Sequence, residues 1–301
     1  MNSKVQSLKD FLAGQGRVAL VEVAGTKGST PREKGAFMLV SASAIFGTIG
    51  GGQLEYMAID KARQMLGSSP MRGAGKQSRI EVDEICATLD VPLGPEIGQC
   101  CGGRVEVLIR LVEAALAQEL VAAAEAEEKQ LPYVYIFGGG HVGQALAAAV
   151  ALLPVHVVVI ETRAEALEGM PETVETSLTP MPEAMVRKAP KGTAFAILTH
   201  DHALDFLIVA EALKRNDTAY VGMIGSKTKK ATFRSWFLKS ADGSEAEFAR
   251  LVSPIGGDAV KDKRPQVIAA LAAAEIMTAL VAHTAAPAVP YPVSHDRAMA
   301  S

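Results

Sequence analysis

Two adjacent cysteines, Cys100 and Cys101, are the strongest candidates for chemistry in this sequence, within Gly98-Gln99-Cys100-Cys101-Gly102-Gly103. Neighbouring Cα atoms lie about 3.8 Å apart, which is below the usual spacing across a disulfide. The flanking glycines allow the backbone to come close to a bound group. The pair therefore indicates ligand, metal or sulfur chemistry. The alternative is that both thiols are buried as small apolar side chains.

A second motif, Gly138-Gly139-Gly140-His141-Val142-Gly143, fits the pattern G-x-G-x-x-G and lies between the apolar segment 133–137 and a helical pattern. Glu161 ends the next apolar segment, 21 residues after Gly140. Dinucleotide-binding folds have this arrangement, in which the turn takes the pyrophosphate and the acid binds ribose hydroxyls. We predict a Rossmann-like fold with Glu161 facing the turn. The fold does not fix the ligand, and a nucleotide is one candidate. The candidate contacts are Gly138, Gly140, His141, Gly143 and Glu161.

The segment Thr199-His200-Asp201-His202 follows the apolar residues 193–198, which places it at the carboxyl end of a predicted strand. Parallel sheets bind ligands at that end. We therefore take His200, Asp201 and His202 as candidate ligand contacts. A metal site completed by Asp205 and His141 is a second interpretation. The third is a turn in which Asp201 or Thr199 caps the next helix.

Two more glycine turns precede helical patterns and indicate anion sites. Gly225-Ser226-Lys227 supplies a hydroxyl cap and a lysine, and the neighbouring Lys229 and Lys230 are predicted to lie on a solvated face. In the first half, Gly50-Gly51-Gly52 is a candidate phosphate-binding turn or a turn that simply requires glycine. Lys27 and Arg32 would supply charge there. Glu55 either contacts the ligand or favours the helix N-terminus through the dipole.

The elements that carry these motifs predict an α/β protein of two domains. The first, 1–130, is a smaller α/β domain with strands predicted at 18–23, 36–40, 45–49, 79–85 and 104–110. The second, 131–283, alternates strands and helices, which is typical of a doubly wound parallel sheet of Rossmann type. Its last helix begins at about Pro265, and 284–301 is predicted to be a flexible tail.

Composition excludes several classes of function. Three cysteines in 301 residues cannot all pair internally, which favours reduced thiols and a cytoplasmic protein. The N-terminus lacks the apolar core of a signal peptide, and the apolar stretch 145–160 is too short for a membrane span. A net charge of −3 and 5% aromatic residues give no case for nucleic-acid or membrane binding.

Seven segments together resemble the xanthine dehydrogenase accessory protein family, known as XdhC or CoxI. Their order is preserved over nearly the whole chain, with one departure at Gly257-Asp258. The segments are Gly28-Ser29-Thr30-Pro31-Arg32-Glu33, Gly47-Thr48-Ile49-Gly50-Gly51-Gly52-Gln53-Leu54-Glu55, Gly98-Gln99-Cys100-Cys101-Gly102-Gly103-Arg104, Phe137-Gly138-Gly139-Gly140-His141-Val142-Gly143, Leu198-Thr199-His200-Asp201-His202-Ala203-Leu204-Asp205, Tyr220-Val221-Gly222-Met223-Ile224-Gly225-Ser226-Lys227 and Pro254-Ile255-Gly256.

The resemblance implies a carrier rather than an enzyme. It implies that the protein binds the molybdenum cofactor (molybdopterin), protects it while a cysteine desulfurase partner supplies the sulfido ligand, and inserts it into a xanthine dehydrogenase-type apoenzyme. It also implies a homodimer. Gln99 joins the candidate cofactor contacts through this motif, and Cys100 and Cys101 become candidate contacts of molybdenum.

Two alternatives from other classes stay open. An NAD(P)-dependent oxidoreductase would use the turn at Gly138, with His200 or His202 as general acid. A metal-binding regulatory module would combine Cys100 and Cys101 with these two histidines. Adjacent cysteines are awkward for structural zinc, whose ligands usually stand about two to four residues apart.

Overall fold

The computed structural model describes residues 3–67, 86–93 and 102–285. Within these ranges the chain forms two compact units, one ending at Lys129 and the other beginning at Gln130. The first carries an antiparallel sheet and the second a parallel sheet. The predicted fold class, an α/β chain with a Rossmann-like second half, is confirmed.

The described part of the first unit contains three helices and five strands in a sheet of order β3-β2-β1-β5-β4. The helices are α1 (Lys4–Gly14), α2 (Gly52–Gly67) and α3 (Ala114–Lys129). The strands are β1 (Ala19–Lys27), β2 (Phe37–Val40), β3 (Ile45–Gly47), β4 (Cys86–Pro92) and β5 (Arg104–Leu111).

Alternation along the strands gives this sheet two apolar faces. Val21, Val23, Val107 and Ile109 pack on one face with the apolar side of α2. The opposite face packs against α1 and α3 around a smaller cluster that includes Leu20. Because successive strand residues point to opposite faces, the sequence pattern determines which side chains of a strand share a face.

The predicted strand at 79–85 lies outside the described residues. The strand that pairs with β5 is β4, residues Cys86–Pro92, in the antiparallel register Cys86↔Arg110 to Pro92↔Arg104. Its composition gave little signal because Asp90 and Pro92 are both depleted in strands. Pairing with β5 compensates for this weak local preference.

The described part of the second unit contains a parallel sheet of order β11-β10-β9-β6-β7-β8. The strands are β6 (Tyr133–Phe137), β7 (His156–Glu161), β8 (Glu175–Leu178), β9 (Ala194–Ile197), β10 (Tyr220–Met223) and β11 (Leu251–Val252). The helices are α4 (His141–Val150), α5 (Pro182–Lys188), α6 (His202–Lys214), α7 (Lys227–Ser240), α8 (Glu245–Phe248) and α9 (Pro265–Ala285).

Helices cover both faces of this sheet, which is why its strands are apolar throughout. One face packs against α4 and α9, and the other packs against α5, α6 and α7. The chain order reverses direction between β9 and β6, so the loops after these strands meet at the sheet's carboxyl edge.

The last helix, α9, is longer than predicted. It continues to Ala285, so the first two residues of the predicted tail at 284–301 are helical and the rest lie outside the described residues. Among the residues described, Pro265–Thr284 is the one helix long and apolar enough to cross a membrane by length and composition. It packs along α4 and buries Ala269, Ala272 and Ile276 in the core of the unit.

Candidate functional site

Glu161 ends β7 and its carboxylate faces the glycine turn after β6, as predicted. Its Oε2 accepts from the Gly139 N–H at 2.9 Å, and its Oε1 accepts from the Thr162 N–H at 2.7 Å. The Arg163 guanidinium donates to both oxygens, at 3.4 and 3.3 Å. Only 4% of Glu161 is exposed. The carboxylate therefore holds the turn in shape and is already hydrogen-bonded where a ribose diol would require free acceptors.

The environment of Glu161 makes the stability of the protein depend on acid pH. Burial raises its pKa, but hydrogen bonds from Gly139, Arg163 and Thr162 outweigh burial and lower the pKa from 4.5 to about 2. The unfolded chain takes up this proton first as the pH falls. The stabilisation is therefore present above pH 4.5 and lost as the pH falls from 4.5 to about 2.

We expect Glu161→Gln to lower the free energy of unfolding by about 2 kcal/mol at neutral pH and by much less below about pH 3. Urea unfolding of both proteins across this range measures the difference, which isolates Glu161 from the other carboxyl groups. A constant difference between the two proteins at every pH would contradict this role of the charge.

The glycines of the turn have different reasons to be glycine. A Cβ on Gly143 would lie 1.9 Å from the Gly138 carbonyl oxygen, and one on Gly138 would lie 2.5 Å from that of Leu198. These two are required by packing. A Cβ on Gly140 would meet no atom within 4 Å, and Gly140 is exposed. Gly140 is thus the place where the turn is open to a ligand, with the exposed His141 beside it at the start of α4.

A buried ion pair joins helices α6 and α7, which follow β9 and β10. The Lys229 ammonium donates to Oδ2 of Asp205, and the two residues are 8% and 0% exposed. Oδ1 of Asp205 accepts from the Thr199 hydroxyl at 2.6 Å and from the Thr199 N–H at 3.0 Å. The prediction that Lys229 lies on a solvated face is wrong, because α6 and α7 bring this carboxylate against it. Lys230 is also partly buried, and its ammonium contacts the carbonyl oxygens of Leu251 and Ser253.

The polar segments at the carboxyl edge of the parallel sheet cap two helices. Asp201 caps α6 by accepting from the Ala203 and Leu204 N–H groups, and Ser226 caps α7 by accepting from the Lys229 N–H. His200, His202 and Lys227 are exposed, and Lys227 lies 3.6 Å from Asp258. Within the described ranges, no group of three His, Cys, Asp or Glu side chains is arranged to hold a metal ion. The metal interpretation of this segment therefore has no support there.

In the first unit, three of the motif segments meet at one end of the sheet. Ser29 and Gly102 form a β-bridge, and a Cβ on Gly103 would lie 2.2 Å from the Ser29 carbonyl oxygen. A Cβ on Gly50 would lie 2.7 Å from Pro31. The loop after β1, the turn before α2 and the residues that follow Cys101 in sequence are therefore in direct contact.

Glu55 accepts hydrogen bonds from the glycine turn that the sequence marked as a phosphate site. Its Oε2 accepts from the Thr48 hydroxyl at 2.6 Å, the Ile49 N–H at 3.1 Å and the Gly51 N–H at 2.9 Å. The Gly50 N–H donates to the Thr48 hydroxyl at 3.0 Å. Gly50, Gly51 and Gly52 all have positive φ, so the turn also requires glycine for its backbone. An anion reaching these amides would have to replace Glu55.

The charges near this end of the sheet are partly paired. Lys27 and Arg32 are exposed, and Lys27 stands opposite Arg104 in the β1–β5 register. The Arg104 guanidinium donates from Nε and Nη2 to the two carboxylate oxygens of Asp90, at 2.5 and 2.6 Å. Arg104 is therefore already paired with a carboxylate. Gln99, Cys100 and Cys101 lie outside the described residues. Cys86 begins β4 and is partly exposed.

Comparison with known proteins supports the resemblance seen in the motifs. The model of the XdhC Rossmann domain matches residues 134–276, and that of the XdhC and CoxI family matches residues 11–72. The two matches together cover more than half of the chain and fall on its two units in order. The chain belongs to the XdhC and CoxI family.

Two relatives of this XdhC-family chain give the extent of the likeness. Uncharacterized protein YqeB of Escherichia coli K12 is 27% identical over 269 residues, which are 86% of this chain and 43% of that protein. The chain thus spans less than half the length of that curated relative. A crystal structure described as a xanthine dehydrogenase from Bacillus halodurans matches with a TM-score of 0.73, over 93% of this chain and 96% of that chain. At 18% identity, this match shows a shared fold.

The residues that sequence reasoning missed in this XdhC-family chain are those with distant partners. Asp205 was noted only as part of a metal site, and Lys229 was assigned to the surface. One signal was present: Asp205 and Lys229 each follow a glycine- or threonine-led turn at the end of a buried strand. Parallel strands that are neighbours in the sheet bring such positions together.

Proposed function

We propose that this protein is a molybdenum cofactor accessory protein, which holds the cofactor and delivers it to a xanthine dehydrogenase-type apoenzyme. The observation that carries the proposal is the Ser29–Gly102 bridge. It fixes the chain one residue after Cys101 against the loop that follows Lys27 at the end of β1 and carries Arg32. Membership of the XdhC and CoxI family supports an accessory role rather than a catalytic one.

The described residues of the first unit fit part of what the cofactor requires. Its terminal phosphate needs positive charge, which the exposed side chains of Lys27 and Arg32 supply. A Cβ on Gly51 would meet nothing within 4 Å, so the turn is open on one side. Since Glu55 occupies the amides of this turn, we assign the phosphate to the basic side chains. Gln99, Cys100 and Cys101, which lie outside the described residues, would hold the dithiolene and the metal.

The second unit is proposed to bind a nucleotide or another phosphate-bearing ligand at the open face of Gly140. A helix N-terminus with an exposed glycine suits a phosphate group. The exposed His141, His200 and His202 would line the same edge of the sheet. A cysteine desulfurase as sulfur donor, a homodimer and a cytoplasmic location complete the proposal, and they rest on the family.

Cysteine substitutions test whether the protein binds and delivers the cofactor. We expect Cys101→Ala to lower the bound cofactor by about tenfold, the effect of losing about 1.4 kcal/mol of binding free energy. Molybdenum and oxidised pterin are quantified in protein purified from a host that makes the cofactor. Activation of an apo-xanthine dehydrogenase by the same samples measures delivery.

Cys86→Ala is the matched control, because Cys86 lies in β4 and should leave the cofactor content unchanged. Cys100→Ala shows whether the two thiols share the contact. If Cys100→Ala and Cys101→Ala both bind and deliver the cofactor like the parent protein, the thiols have no role in binding. A parent protein that contains neither pterin nor molybdenum, and responds to a nicotinamide dinucleotide in a fluorescence titration, would favour the oxidoreductase instead.

A further inference from the structure

The geometry points to Asp205 and Lys229 as positioning residues for the ligand site of the second unit. This inference rests on the proposed function in one respect, that the carboxyl edge of the parallel sheet binds a phosphate-bearing ligand. Neither residue is proposed to touch that ligand. Their role is to hold the loop that carries His200 and His202 against the glycine turn that begins at Gly138.

The ion pair is almost completely buried, which needs an explanation. Asp205 is 0% exposed and the side chain of Lys229 is 7% exposed. A buried ion pair usually adds little stability over apolar side chains of similar volume, because both charges lose their hydration. Stability alone therefore does not explain why these two residues are charged. Fixing the geometry of the adjacent turns explains it better.

The carboxylate of Asp205 links Lys229 to Thr199. Lys229 holds Oδ2, which aims Oδ1 at Thr199, where it accepts from both the hydroxyl and the N–H. The Thr199 hydroxyl in turn accepts from the Asp201 N–H at 3.2 Å. The carboxylate thus fixes the backbone on both sides of His200.

The same residues are packed tightly against the other loops of the edge. A Cβ on Gly138 would lie 3.0 Å from the Cα of Thr199, and one on Gly225 would lie 2.6 Å from the Cδ of Lys229. Ser226 accepts from the Lys229 N–H at 3.2 Å. The turns at Gly138, Thr199 and Gly225 are therefore one connected structure, and the Asp205–Lys229 pair stands at its centre.

Two double variants separate the acceptor from the charges. Asp205→Val with Lys229→Met removes the acceptor for Thr199 and leaves no buried charge, whereas Asp205→Asn with Lys229→Met keeps an oxygen for Thr199. The control is Arg187→Met. It removes the ion pair at the surface between Arg187 on α5 and Glu211, which lies on α6 as Asp205 does. The readouts are thermal unfolding, amide hydrogen exchange of residues 198–204, and the affinity for a nicotinamide dinucleotide in a fluorescence titration.

We expect the valine variant to melt near the parent protein but to exchange amides in 198–204 about tenfold faster, since local opening depends on local contacts. Its affinity for the dinucleotide should fall by about tenfold, because the loop that lines the ligand site is no longer held in place. The asparagine variant should recover most of both properties, and the control should resemble the parent.

A valine variant with the parent's exchange and dinucleotide affinity overturns the inference. Faster exchange with an unchanged dinucleotide affinity also overturns it, because the pair would then be structural only. If the parent contains no pterin, the carrier function fails, but the dinucleotide titration still tests the positioning role. A parent that does not bind the dinucleotide overturns the positioning role.

Discussion

Gly143→Ala is expected to lower the free energy of unfolding of the second unit by about 3 kcal/mol, whereas Gly140→Ala should change it by less than about 0.5 kcal/mol. The two glycines are three residues apart in one motif, yet a Cβ on Gly143 would lie 1.9 Å from the Gly138 carbonyl oxygen and one on Gly140 would meet nothing. A carbonyl in the turn cannot move away without breaking the contact of the turn with Glu161. Chemical unfolding monitored by circular dichroism measures both values.

The same pair of variants separates folding from binding. Gly140 has a φ of −68°, which alanine adopts freely, so Gly140→Ala should fold and still place a methyl group where the ligand approaches. We expect it to weaken ligand binding at this turn by about tenfold, through a clash worth about 1.4 kcal/mol. A Gly143→Ala protein as stable as the parent would contradict the packing of the turn described here. Unchanged binding in Gly140→Ala would place the ligand elsewhere.

Lys229→Met alone is expected to cost about 3–5 kcal/mol, because it leaves the carboxylate of Asp205 buried without its partner. Asp205 is 0% exposed, so water cannot solvate its carboxylate once the Lys229 ammonium is removed. The result would be a protein that unfolds at much lower urea concentration. Equilibrium unfolding of the purified protein measures the loss.

Lys230→Met is the neighbouring control, since the Lys230 ammonium contacts carbonyl oxygens at 3.4 Å and one aromatic face. We expect it to cost about 1 kcal/mol. Adding Asp205→Asn to Lys229→Met should recover most of the stability, because no buried charge then remains. Equal effects of Lys229→Met and Lys230→Met would show that the Asp205–Lys229 pair is open to water in solution.

The glycine turns show how far a motif predicts a site. The motif at Gly138 correctly predicted a strand, a turn, a helix and an acid at the end of β7 that faces the turn. It did not show that the acid already bonds to the Gly139 N–H and to Arg163. In the same way, the motif at the turn before α2 did not show that Glu55 accepts from the Gly51 N–H. In both turns a carboxylate of the chain takes amide groups that the sequence assigned to a ligand.

The local features of this protein were determined by its sequence. Apolar strands alternating with helices predicted the parallel sheet, and Asp201 was recognised as a possible helix cap because its partners are two and three residues away. The family motifs also depend only on short spacings. Such features need no knowledge of which strands are neighbours, so residue type and spacing are sufficient to predict them.

The tertiary structure decided the contacts between distant residues. Lys229 is 24 residues from Asp205, and the two meet because β9 and β10 are adjacent in the sheet and their helices begin at the same edge. Ser29 meets Gly102 because β1 and β5 pair. Strand order determines such contacts, and it depends on how whole elements bury their apolar faces against one another. No short segment of the sequence carries that information, which is why a buried lysine at the centre of the site was predicted to be a surface residue.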